Sequence, residues 1–98
     1  MKKKIFEYLN EKGIKHSLVG FDYLMRAIEI GLEDKKSITN NICKNCYGVI
    51  AKENEVKSSQ IERAMRHAIE TSDFPNLCVS EYIALAVDTI KYGDEEEN

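Results

Sequence analysis

Apolar residues recur along the chain at helical spacing, in stretches separated by polar breaks. Ile5, Phe6, Tyr8 and Leu9 form the first stretch and Gly13 stands where a helix would stop, which predicts a helix of about 3–12. Phe21, Leu24, Met25, Ile28 and Leu32 make a second stripe, with Asp22, Arg26, Glu29 and Glu33 on the other side. Ser17 or Gly20 precedes that helix, and Gly31 near its end weakens it. Its stripe is that of ordinary core packing.

Residues 34–41 are polar, with Ser37, Thr39, Asn40 and Asn41 as turn or cap material. A short helix is expected around 38–46, carried by Ile38, Ile42 and Cys46. Val49, Ile50 and Ala51 open another apolar element, which Glu53-Asn54-Glu55 breaks, leaving Val56 alone in the break. A longer helix then starts at Ser58 or Ser59, where Ser59 with Glu62 fits a capping box. Ser72-Asp73-Phe74-Pro75 ends it in a tight connection. The last helix runs from near Ser80 to about Tyr92 on a stripe of Ile83, Ala86, Val87 and Ile90, with Gly93 as its stop. No segment alternates as a strand does, so the expected fold class is all-α, a compact bundle of five or six short helices.

Residues 50–63 fit a helix-turn-helix. Such a motif needs a small residue in its first helix where the second crosses, an inward apolar residue in the turn, and an apolar anchor in the second helix. Ala51, Val56 and Ile61 stand at those places. Many such turns put glycine, in the left-handed conformation, just before the inward residue. Here that position is Glu55. About 100° of rotation per residue puts Ile61, Ala64, Met65, Ala68 and Ile69 on one side of the second helix. Ser59, Arg63, Arg66, His67 and Glu70 fall opposite, flanked by Gln60 and Glu62.

The outward set suits DNA. Arginine forks onto guanine, glutamine onto adenine, and glutamate accepts from cytosine N4. Lys57, Ser58 and Ser59 at the helix start suit phosphate. The same residue types are also common on any solvated helix face, and helix-turn-helix shapes occur in proteins that bind no DNA.

Composition sets bounds on these readings. The chain has 98 residues, one domain's worth, with 43% hydrophobic and 32% charged residues and a single proline. The net charge of −3 is concentrated at the end, in Asp94, Glu95, Glu96 and Glu97; residues 1–93 hold 13 acids against 14 bases. The expected organisation is a single helical DNA-binding domain over 1–93 and an acidic disordered tail over 94–98. The near-neutral folded part neither demands nor excludes a nucleic-acid partner.

Three cysteines without a signal peptide or an apolar membrane stretch point to a reducing compartment, hence a cytoplasmic protein with no membrane partner. Cys43 and Cys46 form one CxxC, but a second pair to complete a zinc site is missing, so no metal is expected. Both are read as small, half-buried hydrophobes. His16 is read as a loop residue. No glycine-rich phosphate loop, nucleophile elbow or paired-carboxylate arrangement is present, so neither a cofactor nor enzymatic activity is expected.

The run Ile61-Glu62-Arg63-Ala64-Met65-Arg66-His67-Ala68-Ile69-Glu70 resembles the recognition helix of the stage-zero sporulation protein A family, the sporulation response regulators. Residues 20–28, 47–54 and 80–84 resemble three further blocks of that family's C-terminal effector domain, in the same order. The resemblance covers about residues 10–90. It implies a helical domain that binds duplex DNA through the helix-turn-helix, at a TGTCGAA-like box. By position, Glu62, Arg63 and His67 match the family's recognition-helix contacts, while Gln60 stands where the family usually has arginine.

The resemblance also implies departures. The expectation is a stand-alone effector domain without the family's phosphoacceptor receiver. Only Thr71 to Val79 separate the recognition helix from the last helix, where the family carries an additional helix belonging to its protein–protein surface. The expected function is sequence-specific binding of double-stranded DNA by a transcription regulator, with helix 58–70 in the major groove and a homodimer or a regulator protein as the further partner. The alternative is a protein interaction module that keeps the fold and has lost DNA binding, as an antagonist or partner of a regulator.

Overall fold

A computed structural model describes residues 2–97, with side chains described through residue 93. Six α-helices follow one another with no strand among the described residues: α1 (Lys2–Glu11), α2 (Val19–Glu33), α3 (Lys36–Thr39), α4 (Gly48–Asn54), α5 (Ser58–Glu70) and α6 (Val79–Glu97). A π-helical turn (Cys43–Tyr47) leads directly into α4. The all-α expectation holds.

Helix α1 ends in a Schellman closure. The Ile14 N–H donates to Leu9 O at 3.2 Å and the Gly13 N–H to Asn10 O at 3.2 Å, with Gly13 at φ +86°. Leu9 and Ile14, the apolar pair that accompanies this motif, are both buried. The glycine read as a stop is therefore a stop for a stated reason, its freedom at positive φ.

Helix α2 is the platform, packing against α1, α5 and α6. Its sequence stripe is correct at Phe21, Leu24 and Ile28, and burial extends to Ala27, Ile30 and both glycines. Neither glycine acts as sequence reasoning assigned it. Gly20 lies inside the first turn of the helix, where a Cβ would sit 2.2 Å from Ala64 O of α5. At Gly31 a Cβ would meet Val87 of α6 at 2.6 Å and Ile38 at 2.9 Å. Both glycines are places where a neighbouring element reaches the surface of α2.

The single helix expected at 38–46 is two pieces. Asn40 is extended and Asn41 is left-handed at φ 47°, so the chain breaks after Thr39 and restarts as the π-helical turn. Asparagine tolerates that conformation better than most residues. Cys46 and Tyr47 of the turn join the core, as do Ile50 and Ala51 of α4.

In α6 the expected stripe of Ile83, Ala86, Val87 and Ile90 is buried, together with Val79 and Tyr82. The helix begins one residue before Ser80 and runs through Gly93 rather than stopping there. A glycine in a helix costs about 1 kcal/mol relative to alanine, which a helix docked along a core stripe absorbs. The acidic stretch 94–98 expected to form a tail falls on residues whose side chains lie outside the described set.

Candidate nucleic-acid interface

Helices α4 and α5 and the three residues between them form the helix-turn-helix. The turn is closed as α1 is closed. The Val56 N–H donates to Ala51 O at 3.0 Å, and Glu55 is left-handed at φ 57°, ψ 41°. Glu55 thus occupies the place that Gly13 fills at the end of α1. Val56 points inward and packs against the core, and Ala51 and Ile61 are buried, as the spacing predicted.

Both helices of the motif are fixed to α2. Arg26 of α2 grips Glu53 of α4 with a forked pair, Nε to Oε1 at 2.9 Å and Nη2 to Oε2 at 2.9 Å, and reaches Glu29 at 3.2 Å. The guanidinium holds the Glu53 carboxyl below its ordinary range, and Glu53 in turn raises the arginine. Bidentate geometry makes this one of the better surface pairs, still worth only about 1 kcal/mol at that exposure. The sequence placed Arg26 on the solvent side of α2 without finding this brace. Helix α5 is seated more firmly: Gly20 lets its backbone lie directly on α2 at Ala64. Ile61, Met65, Ala68 and Ile69 are buried along that side, and Ala64 is half-buried.

The opposite side of α5 is open. Lys57, Ser59, Gln60, Arg63, Arg66 and His67 are exposed, and Ser58 and Glu62 are half-buried. The fold brings all eight candidate residues to the start and outer side of one helix.

They are not equally available. The helix starts at Ser58 with Lys57 extended before it, so the third helical residue is Gln60. Its Oε1 accepts the Lys57 N–H at 2.9 Å. The expected cap of Ser59 with Glu62 is therefore corrected by two residues: Lys57 is the N-cap and Gln60 closes the cap, Ser59 is already inside the helix, and Glu62 pairs with Arg66 at 3.5 Å. A glutamine must present both its oxygen and its amide to fork onto adenine. Gln60 has its oxygen engaged in the cap. Arg63 and His67 make no hydrogen bond or ion pair among the described residues and keep all their donors.

The remaining chemistry-bearing groups lie elsewhere. Cys46 is fully buried, and desolvation pushes its thiol up to about 12, which makes it a core residue. Cys43 and Cys78 are exposed and free. His16 is exposed in the α1–α2 loop beside the rings of Phe6 and Phe21. Among the described residues no cluster of three or more His, Cys, Asp or Glu is arranged to hold a metal, and no helix is long and apolar enough to cross a membrane.

The connection from α5 to α6 is short and docked. Thr71 and Ser72 hydroxyls donate back to Ala68 O and Ile69 O, each at 2.6 Å, and the Asp73 N–H donates to Lys12 O at 2.9 Å. Lys12 lies over the Phe74 ring at 5.7 Å. Comparison with known protein families adds one finding to this geometry. The family model described as "Sporulation initiation factor Spo0A C terminal" matches residues 5–91.

Proposed function

The chain belongs to that family, whose members are DNA-binding effector domains in the control of sporulation transcription, and from this premise we propose that it binds double-stranded DNA sequence-specifically through α5. The observation that carries the reading is the outer side of α5. Arg63 and His67 are exposed with all donors free, on a helix locked to the fold along its other side.

In this reading α5 lies in the major groove. Arg63 forks onto a guanine and His67 contacts a base or phosphate beside it. Glu62 and Arg66, paired at 3.5 Å, exchange that bond for base or phosphate partners. Lys57, Ser58 and Ser59 face phosphates at the helix start. Gln60 holds the helix end, so it contributes less base reading than its side chain suggests.

A second reading, an interaction module without DNA binding, draws on the same engagements: Gln60 is occupied by its cap and Arg66 by Glu62. Titrating the protein into a labelled duplex with a TGTCGAA-like box, and into a scrambled duplex, at two salt concentrations separates the readings. Tighter binding to the box at both concentrations is expected, with affinity for both duplexes falling as salt rises. Equal affinity for the two duplexes removes sequence specificity. No binding to either at tens of micromolar leaves the interaction module.

A further inference from the structure

The outer side of α5 is not the motif's whole basic surface. A cavity of about 390 Å³ opens between the π-helical turn, α4 and the first residue of α5. Lys44 and Asn45 line it from the turn, Lys52 from α4 and Ser58 from α5. No acidic residue lines it. Three other surface cavities differ in this respect: one between α1 and α6 holds Glu7 and Glu11, one along α2 holds Asp22 and Glu29, and one at the α5–α6 connection holds Asp73, while one in the α1–α2 loop also has no acid but a single lysine, Lys15. Lys44 and Lys52 have no ion-pair partner among the described residues, although acids outnumber bases in the whole chain. Two lysines thus line one cleft without an ion-pair partner among the described residues.

The backbone that presents Lys44 is unusual. Asn41 is left-handed, the Asn45 N–H donates to Asn41 O at 2.9 Å, and Asn45 Nδ2 donates to Asn40 O at 2.8 Å. The wider π-helical winding then carries Lys44 and Asn45 to the cleft beside α4. Such windings are rare and concentrate at functional places.

We propose that this cleft seats a phosphodiester of the DNA backbone, flanking the groove that α5 enters. Lys44 and Lys52 neutralise the phosphate and the Ser58 hydroxyl donates to it. The first helix of a helix-turn-helix crosses the backbone, and the cleft lies between that helix and the start of the second. The contact carries no base information; it fixes the register in which Arg63 reads. This inference rests on the DNA-binding reading and adds a surface that shares only Ser58 with the α5 face.

The test is the salt dependence of duplex binding by the full chain. Each neutralised phosphate contributes about 0.9 to the slope of log K against log salt. The double variant Lys44→Ala/Lys52→Ala is expected to bind box and scrambled duplexes about tenfold more weakly, equally on both, and to lose about one unit of slope. Lys44→Arg/Lys52→Arg should keep the slope, and Lys15→Ala, a lysine in the α1–α2 loop, should change neither quantity. Circular dichroism melts establish that the variants are folded. An unchanged slope in the alanine double variant, with the parent chain binding normally, overturns the cleft and leaves the DNA reading intact. A loss confined to the box duplex also overturns it, because a phosphate seat is blind to sequence. Absence of binding by the parent chain overturns both.

Discussion

Helix α5 meets the protein on one side and solvent on the other, and the two sides differ in what fixes each residue. Toward α2, Ile61, Met65, Ala68 and Ile69 are buried, and the backbone at Ala64 lies where a side chain of residue 20 would be. Away from α2, Arg63, Arg66 and His67 are exposed, and among the described residues their one side-chain partner is Glu62, paired with Arg66 at 3.5 Å. Packing determines the first side, so substitutions there read out as stability. Nothing in the fold requires the identity of the second side, so substitutions there should read out only in what the protein binds.

The comparison is sharpest at Gly20. Alanine is the better helix former by about 1 kcal/mol, so local propensity alone predicts that Gly20→Ala stabilises. The new Cβ would lie 2.2 Å from Ala64 O and 2.9 Å from the Ala68 Cβ, against backbone that has no rotamer to change. The crossing of α2 and α5 must open, and overpacking of this kind costs about 3 kcal/mol. We expect a net loss of about 2 kcal/mol or more, a fall of roughly 10 °C in Tm for a domain of this size by thermal melt. A melt unchanged or raised would mean that α5 is not held against α2 as described.

What the sequence revealed and what it hid divide along the same line. Periodicity found the buried stripes of α5 and α6, because burial of a helix side repeats every three or four residues. It also found the motif's Ala51, Val56 and Ile61, which are fixed by local spacing. It could not find the roles of Gly20 and Gly31, since both depend on elements many residues away in the chain. It gave the cap to Ser59 and Glu62 because it had two candidate starts, and the extended conformation of Lys57 moved both cap positions by two residues, onto Lys57 and Gln60. Lys44 and Lys52 escaped for a third reason: they meet through a π-helical turn, whose winding no 3.6-residue pattern anticipates. The match of residues 5–91 to the Spo0A C-terminal family spans the whole of the motif that the spacing argument found.

On the open side, Arg63→Ala is the reciprocal experiment. The side chain is exposed and bonds to nothing among the described residues, so the melt should move by less than about 0.5 kcal/mol. Binding to the preferred duplex should weaken by about 1–3 kcal/mol if the guanidinium forks onto a guanine, and discrimination against a substituted base pair should relax. Equal loss on every duplex would reassign Arg63 to the backbone. A large fall in Tm would break the comparison itself, by showing that the outer side takes part in folding.

The smallest effect tests the turn that joins the two helices and so sets the angle at which the outer side is presented. Two closures in this chain have the same hydrogen bond: Ile14 N–H to Leu9 O after α1, and Val56 N–H to Ala51 O after α4. Glycine fills the left-handed position in the first and Glu55 fills it in the second. A side chain there costs about 1–2 kcal/mol, while glycine adds about 0.4–1 kcal/mol of chain entropy to the unfolded state. The difference favours glycine, so Glu55→Gly should stabilise by about 0.5–1 kcal/mol, and Gly13→Ala should destabilise by a similar amount or more, since its Cβ also meets Asp73 Oδ1 at 3.0 Å. Paired melts measure both signs at once. If Glu55→Gly raises Tm and leaves duplex affinity unchanged, the turn angle is set by the hydrogen bond to Ala51 rather than by the residue. If it raises Tm and weakens binding, the glutamate is kept at a cost in stability because it holds α5 at the angle that DNA requires.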